Sequence, residues 1–543
     1  MLFRTQLGLF ALGLVIVSTF ATTHASAAEL RSSGMISTTG ARRAGLERAW
    51  ASAVRMDGGR DRLVGSTLHI TSDPQRERRI IEVHYNNRKE IYTDTDVDRY
   101  GEVLGKDGVQ KKTIARVNDL KAQNIDAKTV EYNVPEMMFF VASRRGFIHA
   151  MDAHTGATRW SARIGNPDHP THGPAANDKY VAVINGNVLY VLKHDDGELA
   201  WQKKLSYVPS AGPALSDDLA FVPSTRGAIE SFDLADYKRP VWIYQSQGHA
   251  MVRPVTTSRS VIWPTDRGHL YVGRANSAGI NYRLEAAEAI IAPATAADRR
   301  IFTASSDGYV YCVEETGGAI LWRFSTGEPI NSSPIPVGEN VYVTGTNGGM
   351  FCISIADGQE QWWAPGVRRF ISASETRLYC QDQTGEMIVL NPKSGARLGI
   401  VPMGGVDHIY QNYATDRIFV GSSDGLIVCL HESQLHWPVE HLQDDSAPKV
   451  SKPDVVQQGL GDEPNDAGRP AAAADPFGGP PAGAADPFGA DPFGAGNNGG
   501  GGNNGGNSGG NNNDPFGSDP FGSGAGGNNN TDPDSDPFGA SPF

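Results

Sequence analysis

The stretch SSDGYVYCVEETGGAILW (305–322) sets an apolar run between two polar turns and ends on a tryptophan fourteen places after Gly308. The same design recurs as SRRGFIHAMDAHTGATRW (143–160) and GTNGGMFCISIADGQEQW (345–362), with looser copies at 186–201, 224–242, 265–282, 383–399 and 422–437. Eight copies therefore follow one another between Ala127 and Trp437, about forty residues apart. Six of the nine tryptophans (Trp160, Trp201, Trp242, Trp322, Trp362 and Trp437) hold the repeat position. A fixed period of this length with strand-like runs marks a stacked architecture in which no single copy buries its own apolar face. Each copy offers two apolar runs, such as RIFTAS (300–305) and YVYCV (309–313), split by an Asp-Gly or Asn-Gly step suited to a tight hairpin. Four short antiparallel strands per copy, without long helical periodicity, predict an all-β fold: an eight-bladed β-propeller over 127–442.

The pattern A-x-D-x-x-T-G-x-x-x-W, clearest as AMDAHTGATRW (150–160), resembles the blade motif of the quinoprotein-like, PQQ-repeat propellers. In that family the tryptophan packs against the neighbouring blade. The resemblance covers about 310 of the 543 residues and implies the fold rather than an activity. The family holds pyrroloquinoline-quinone (PQQ) dehydrogenases and also non-enzymatic scaffolds, among them a lipoprotein of the bacterial outer-membrane barrel-assembly machinery. No cysteine precedes Cys312, so the lipidated cysteine of that scaffold has no counterpart at the expected mature N-terminus.

Residues 1–28 combine Arg4, the apolar run LGLFALGLVIVSTFA and the small residues ASAA, the three parts of a secretory signal peptide. No second stretch approaches the roughly 20 apolar residues of a membrane helix, so a periplasmic or secreted protein without a transmembrane span is expected. Residues 29–126 are charged and lack the repeat. Strand-like runs at 63–70, 79–85 and 90–97 and a helix over 106–124 suggest a small N-terminal α+β domain. Residues 443–543 are rich in Ala, Gly, Pro and Asn and are expected to be disordered, since such a segment cannot bury enough apolar surface to offset its ordering entropy. This tail holds fourteen Asp and Glu against three Lys and Arg, −11 of the chain's −13. The remainder is close to neutral, which removes any electrostatic case for nucleic acid or an anionic membrane.

A quinoprotein dehydrogenase needs a calcium-type ion on the quinone, a carboxylate beside it and a dry pocket. Many alcohol-oxidising members also carry two adjacent cysteines, and no adjacent pair exists here. Cys312, Cys352 and Cys429 instead fall at one place in three blades, as small apolar packing residues would, and Cys380 lies in the preceding strand of the seventh blade. His169 and His172 beside Asp168 lack a third metal ligand. Asp94, Asp96, Asp98 and Glu102 fail the calcium-loop pattern, with Arg99 at the turn-glycine place. No GxSxG, HExxH or phosphate-binding glycine loop occurs. No catalytic, cofactor or metal residue is therefore assigned; PQQ and calcium belong to an alternative dehydrogenase reading.

The residue before the turn glycine is Arg145, Arg226 and Arg267 in the first, third and fourth blades, but Asp307, Asn347 and Asp424 in the fifth, sixth and eighth. With Arg144 this predicts a basic arc on one rim, suited to gripping carboxylates of a partner. Six DPFG units in the tail present Phe477, Phe488, Phe493, Phe516, Phe521 and Phe538 as repeated aromatic anchors. The sequence reading is an exported, non-enzymatic interaction scaffold whose partners are other exported or envelope proteins. A dehydrogenase is the first alternative. An envelope-polysaccharide binder using Trp263 and Trp363, which lie outside the repeat position, is the second.

Overall fold

The computed structural model describes residues 35–57 and 60–441. The signal-peptide stretch and the DPFG phenylalanines lie outside them. Eight four-stranded antiparallel sheets form the blades of a propeller, six of them from four strands consecutive in the chain. The fifth blade shows the plan, running from the axis outward through Thr295–Ala297, Arg300–Ala304, Tyr309–Glu314 and Ile320–Ser325. Second and third strands are buried on both faces because each sheet is sandwiched between two neighbours, whereas outer strands alternate, as Glu360–Pro365 does in the sixth blade.

The blades are fastened by the repeat tryptophans. In the outer strand an extra residue just beside the tryptophan breaks register, for example opposite Ala150/Met151 and Cys352/Ile353. Such a bulge re-aims a side chain, and here the indole lies over the turn glycine of the following blade. A Cβ on Gly197 would meet the Trp160 ring at 2.4 Å, and one on Gly395 would meet Trp362 at 2.6 Å. The indole N–H then donates to a backbone carbonyl of that blade: Trp160 to His194 at 2.7 Å, Trp201 to Leu234, Trp322 to Ile355 and Trp362 to Pro392, each at 2.9 Å. Tyr282 takes the same role in the fourth blade, lying over Gly318 and donating to Glu314 at 3.0 Å. Trp242 departs from this pattern and stacks on Tyr244.

Two sequence expectations are corrected at the seam of the ring. The outer strand of the eighth blade is Leu46–Ala53, paired with Leu426–Glu432, and it carries the same bulge between Arg48 and Trp50. Trp50, not Trp437, is therefore the docking tryptophan of that blade; it lies over Gly156 and donates to Ala153 at 3.0 Å. The strand Leu63–Ile70 is likewise the innermost strand of the first blade, paired with Met137–Ser143. The propeller thus begins well before the expected boundary at 126/127, because both strands lie in a stretch that lacks the repeat signature.

What stands apart from the ring is an insertion between these two strands of the first blade. Arg78–Tyr85 is the middle strand of a three-stranded sheet with Arg88–Thr93 and Lys128–Val134, and the helix Gly105–Ala122 packs on it through Val109, Thr113 and Leu120. Trp437 docks this insertion, donating to Glu82 Oε1 at 2.9 Å and packing near Tyr132. Arg78 pairs with Asp152, and Arg76 with Asp195 at 2.9 Å, so charged groups join the insertion to the first and second blades. Beside this joint Asp178 accepts from His69, Thr71 and Ser72. Burial opposes its charge, but those hydrogen bonds prevail and hold the carboxyl well below its ordinary range.

Candidate interaction surfaces and the central channel

In each blade the hairpin between second and third strands shares a rim with the connection to the next blade, and the insertion leaves from the opposite rim. Arg144, Arg226 and Arg267 are exposed on the first rim. Arg226 lies 5.8 Å from the Tyr207 ring. The Arg145 side chain is only 23% exposed and sits 3.6 Å from Asp57 and 3.8 Å from Asp168. Its charge is therefore partly met within the chain, which narrows the arc to the other three. Asp307 serves its own turn, accepting from the Tyr309 amide at 2.9 Å, and also accepts from the Tyr311 hydroxyl.

A second surface runs along the outer strands of the fifth, sixth and seventh blades. Ile320, Leu321, Trp363, Leu398 and Ile400 are each about half exposed or more. Trp363 is 50% exposed and continues an aromatic ladder through Phe351 to Phe324, with ring centroids 6.4 and 5.8 Å apart. An amphipathic indole on an unpaired strand edge is the kind of anchor on which a partner strand or a flat sugar ring rests. Trp263 is not part of any surface: it is fully buried in the fourth blade, stacked on Tyr271 and donating to Ser246 at 2.9 Å. Its strand, Ser260–Pro264, is the second of its blade, where both faces are covered.

The axis of the ring is an open channel of about 870 Å³, lined by the innermost strands and their approaches in the first, second, fourth, fifth, sixth, seventh and eighth blades. Arg253, Arg368 and Arg369 face it together with His408, Tyr410 and Tyr413. Arg253 donates to the Pro174 carbonyl at 2.9 Å, and His408 Nε2 lies 2.8 Å from the Ser66 hydroxyl. Burial pushes the Tyr410 hydroxyl up to about 12 and moves Tyr413 the same way, so both stay protonated. Burial, then the charge of Arg369, keeps His408 below its ordinary value. These residues were not legible as a group in the sequence, since Arg253 and Tyr413 lie outside the strands, and the strands Val367–Ala373 and His408–Tyr410 that carry the others share no pattern.

Compared with known proteins, the chain matches a PQQ-repeat family model described as outer membrane protein assembly factor BamB, over residues 144–285 and 281–405. The chain is a quinoprotein-like β-propeller. The outer membrane protein assembly factor BamB of Yersinia pestis is 27% identical over 107 residues, which span 18% of this chain and 27% of that relative. Among solved structures, BamB from Moraxella catarrhalis is similar over 55% of this chain and 92% of its own, with 18% identity and a TM-score of 0.45. A computationally designed protein, Ika8, covers 54% of this chain and 93% of its own at 14% identity and a TM-score of 0.44.

A quinoprotein-like propeller that oxidises alcohols or sugars must seat a quinone beside a calcium ion and a carboxylate. Among the described residues that line the channel there is no Asp or Glu, so the residues present do not fit that set. Among the described residues no three His, Cys, Asp or Glu are grouped to hold a metal. Asp96 and Asp98 are engaged in their own turns, accepting from the amides of Thr93 and Tyr100, and Asp94 accepts from the Arg79 amide of the neighbouring strand. His172 lies on the inner strand of the second blade, its pKa lowered by burial. The four cysteines are free and buried; Cys312, Cys352 and Cys429 do share the third strand of their blades, and burial pushes each thiol up to about 12. Protonated, enclosed thiols are packing groups and not nucleophiles. No helix among the described residues is long and apolar enough to cross a membrane.

Proposed function

We propose that this propeller is a non-enzymatic protein-interaction scaffold of the cell envelope, exported by its N-terminal segment and acting in outer-membrane protein assembly. The observation that carries the reading is the tandem match of residues 144–405 to the family model described as an outer-membrane assembly factor. A channel without carboxylates supports it against the dehydrogenase alternative. The aromatic ladder ending at Trp363 supplies an anchoring surface, and the arginines at 144, 226 and 267 a rim that suits acidic segments.

The test is capture from the native envelope with the full chain carrying a photo-crosslinking residue at position 398, next to the ladder. Adducts with envelope proteins that fade several-fold in a Trp363→Ser variant are expected. That substitution costs about 1–3 kcal/mol of unfolding stability, since half of the indole packs on Phe351 and over Gly349, so the variant's unfolding is measured alongside its adducts. Absence of envelope adducts, or turnover of alcohols with PQQ and calcium, would sink the reading. The exposed Trp363 also favours a second one, binding of envelope polysaccharide. Fluorescence quenching of the wild-type chain, but not of Trp363→Ser, by purified polymer would select it.

A further inference from the structure

We propose that the central channel is a binding site for a small organic anion carrying two or more carboxylate or phosphate groups. Arg253 precedes the innermost strand of the fourth blade, and Arg368 and Arg369 lie on that of the seventh, so cations from separate blades converge on one cavity of about 870 Å³. None of its lining residues is acidic. Several half-buried arginines elsewhere are paired with carboxylates: Arg78 with Asp152, Arg79 with Glu131, Arg116 with Glu90 and Arg76 with Asp195. Arg253 has only the Pro174 carbonyl, and its charged or polar surroundings are the neutral hydroxyls of Tyr410 and Tyr413.

An arginine remains protonated even when enclosed, so it cannot relieve its desolvation by losing charge. Arg253 and Arg369 are half-buried and Arg368 is exposed beside the latter; Arg368 repels Arg369, and all three leave donor capacity unused. An anion in the channel reverses both costs. Guanidinium forks grip carboxylate and phosphate oxygens in pairs, while Tyr413 adds a neutral donor. The ring of blades supplies rigid walls, so the site is largely pre-formed and little ordering opposes binding.

Citrate and pyrophosphate serve as probes of the two anion chemistries, titrated calorimetrically into the full chain at low ionic strength. Saturable binding of at least one is expected, with a raised unfolding temperature in its presence. Affinity should fall roughly tenfold or more in Arg369→Gln and in Arg253→Gln, the loss of a charge-assisted contact, and stay unchanged in the surface variant Arg259→Gln. Binding of citrate alone assigns the site to carboxylates, and of pyrophosphate alone to phosphates. Arg369→Gln removes no hydrogen bond within the chain, so it decides the matter even if Arg253→Gln does not fold. No saturable binding of either anion, or binding that survives Arg369→Gln intact, overturns the proposal.

Discussion

Alanine in place of Trp50 lowers the unfolding free energy by about 3–5 kcal/mol, the range for removing a buried tryptophan. The indole is 8% exposed, lies over Gly156 and packs 6.1 Å from the Phe419 ring. Its removal leaves a cavity and also strips the Ala153 carbonyl of its donor, a second cost of about 1–3 kcal/mol within that range where water cannot enter. The position amplifies the loss. Trp50 is carried by the strand that closes the ring, so the substitution weakens the joint through which the first and eighth blades hold each other. Urea unfolding of the full chain, followed by far-ultraviolet circular dichroism, measures it. A loss below about 1 kcal/mol would mean that the seam is fastened by the strand pairing alone.

Between pH 8 and pH 5 the wild-type chain loses about 2 kcal/mol of stability that a His154→Phe variant retains. His154 is stacked on Trp437 with centroids 5.0 Å apart, between the first blade and the insertion. Burial, then the charge of Arg417, drives its pKa from the ordinary 6.5 down to about 4. The unfolded imidazole takes a proton near pH 6.5, while the folded one does so only near pH 4. The unfolded state therefore binds more protons throughout that window. Stability from this group is intact above pH 6.5 and drains away as pH falls towards 4. Glu440 works in the opposite sense: burial, then Glu77, raises its pKa to about 7, so its contribution is complete below the unfolded carboxylate range and fades as pH rises through 7. Comparing the two proteins at each pH cancels that shared term. Phenylalanine keeps the stacking without the proton, and an equal gap between the two proteins at pH 8 and pH 5 would contradict the assignment.

The ring was legible because each blade repeats a turn glycine and a tryptophan at fixed spacing, and the structure gives both a shared task at the blade interface. The seam was not legible, and the reason is physical. LERAWASA (46–53) has the bulge and the indole of an outer strand but none of the preceding turns, since those turns belong to residues 408–432 at the other end of the domain. Trp437 then imitates the missing position by following the last repeat, although it serves the insertion. Trp263 imitates a surface residue for a related reason. Its tryptophan is off the repeat position, yet a second strand has no exposed face on which to show it. The channel arginines share no pattern: Arg253 precedes a two-residue strand, while Arg368 and Arg369 lie on Val367–Ala373, whose pairing is broken by two register shifts.

The closing strand also fixes an order of events while the polypeptide is being made. Ser433 hydrogen-bonds to the Gly45 carbonyl across 388 residues of chain. Bringing such distant points together costs about 4 kcal/mol more in loop entropy than forming a four-residue hairpin. Seven blades can be assembled from neighbouring segments as they leave the ribosome, but the eighth cannot be finished until its last inner strands emerge and meet a partner synthesised at the outset. For most of its synthesis the nascent chain therefore carries an unmatched β-edge at its leading end, a template for pairing with the wrong molecule. Whatever accompanies this protein during its production has that edge to shield.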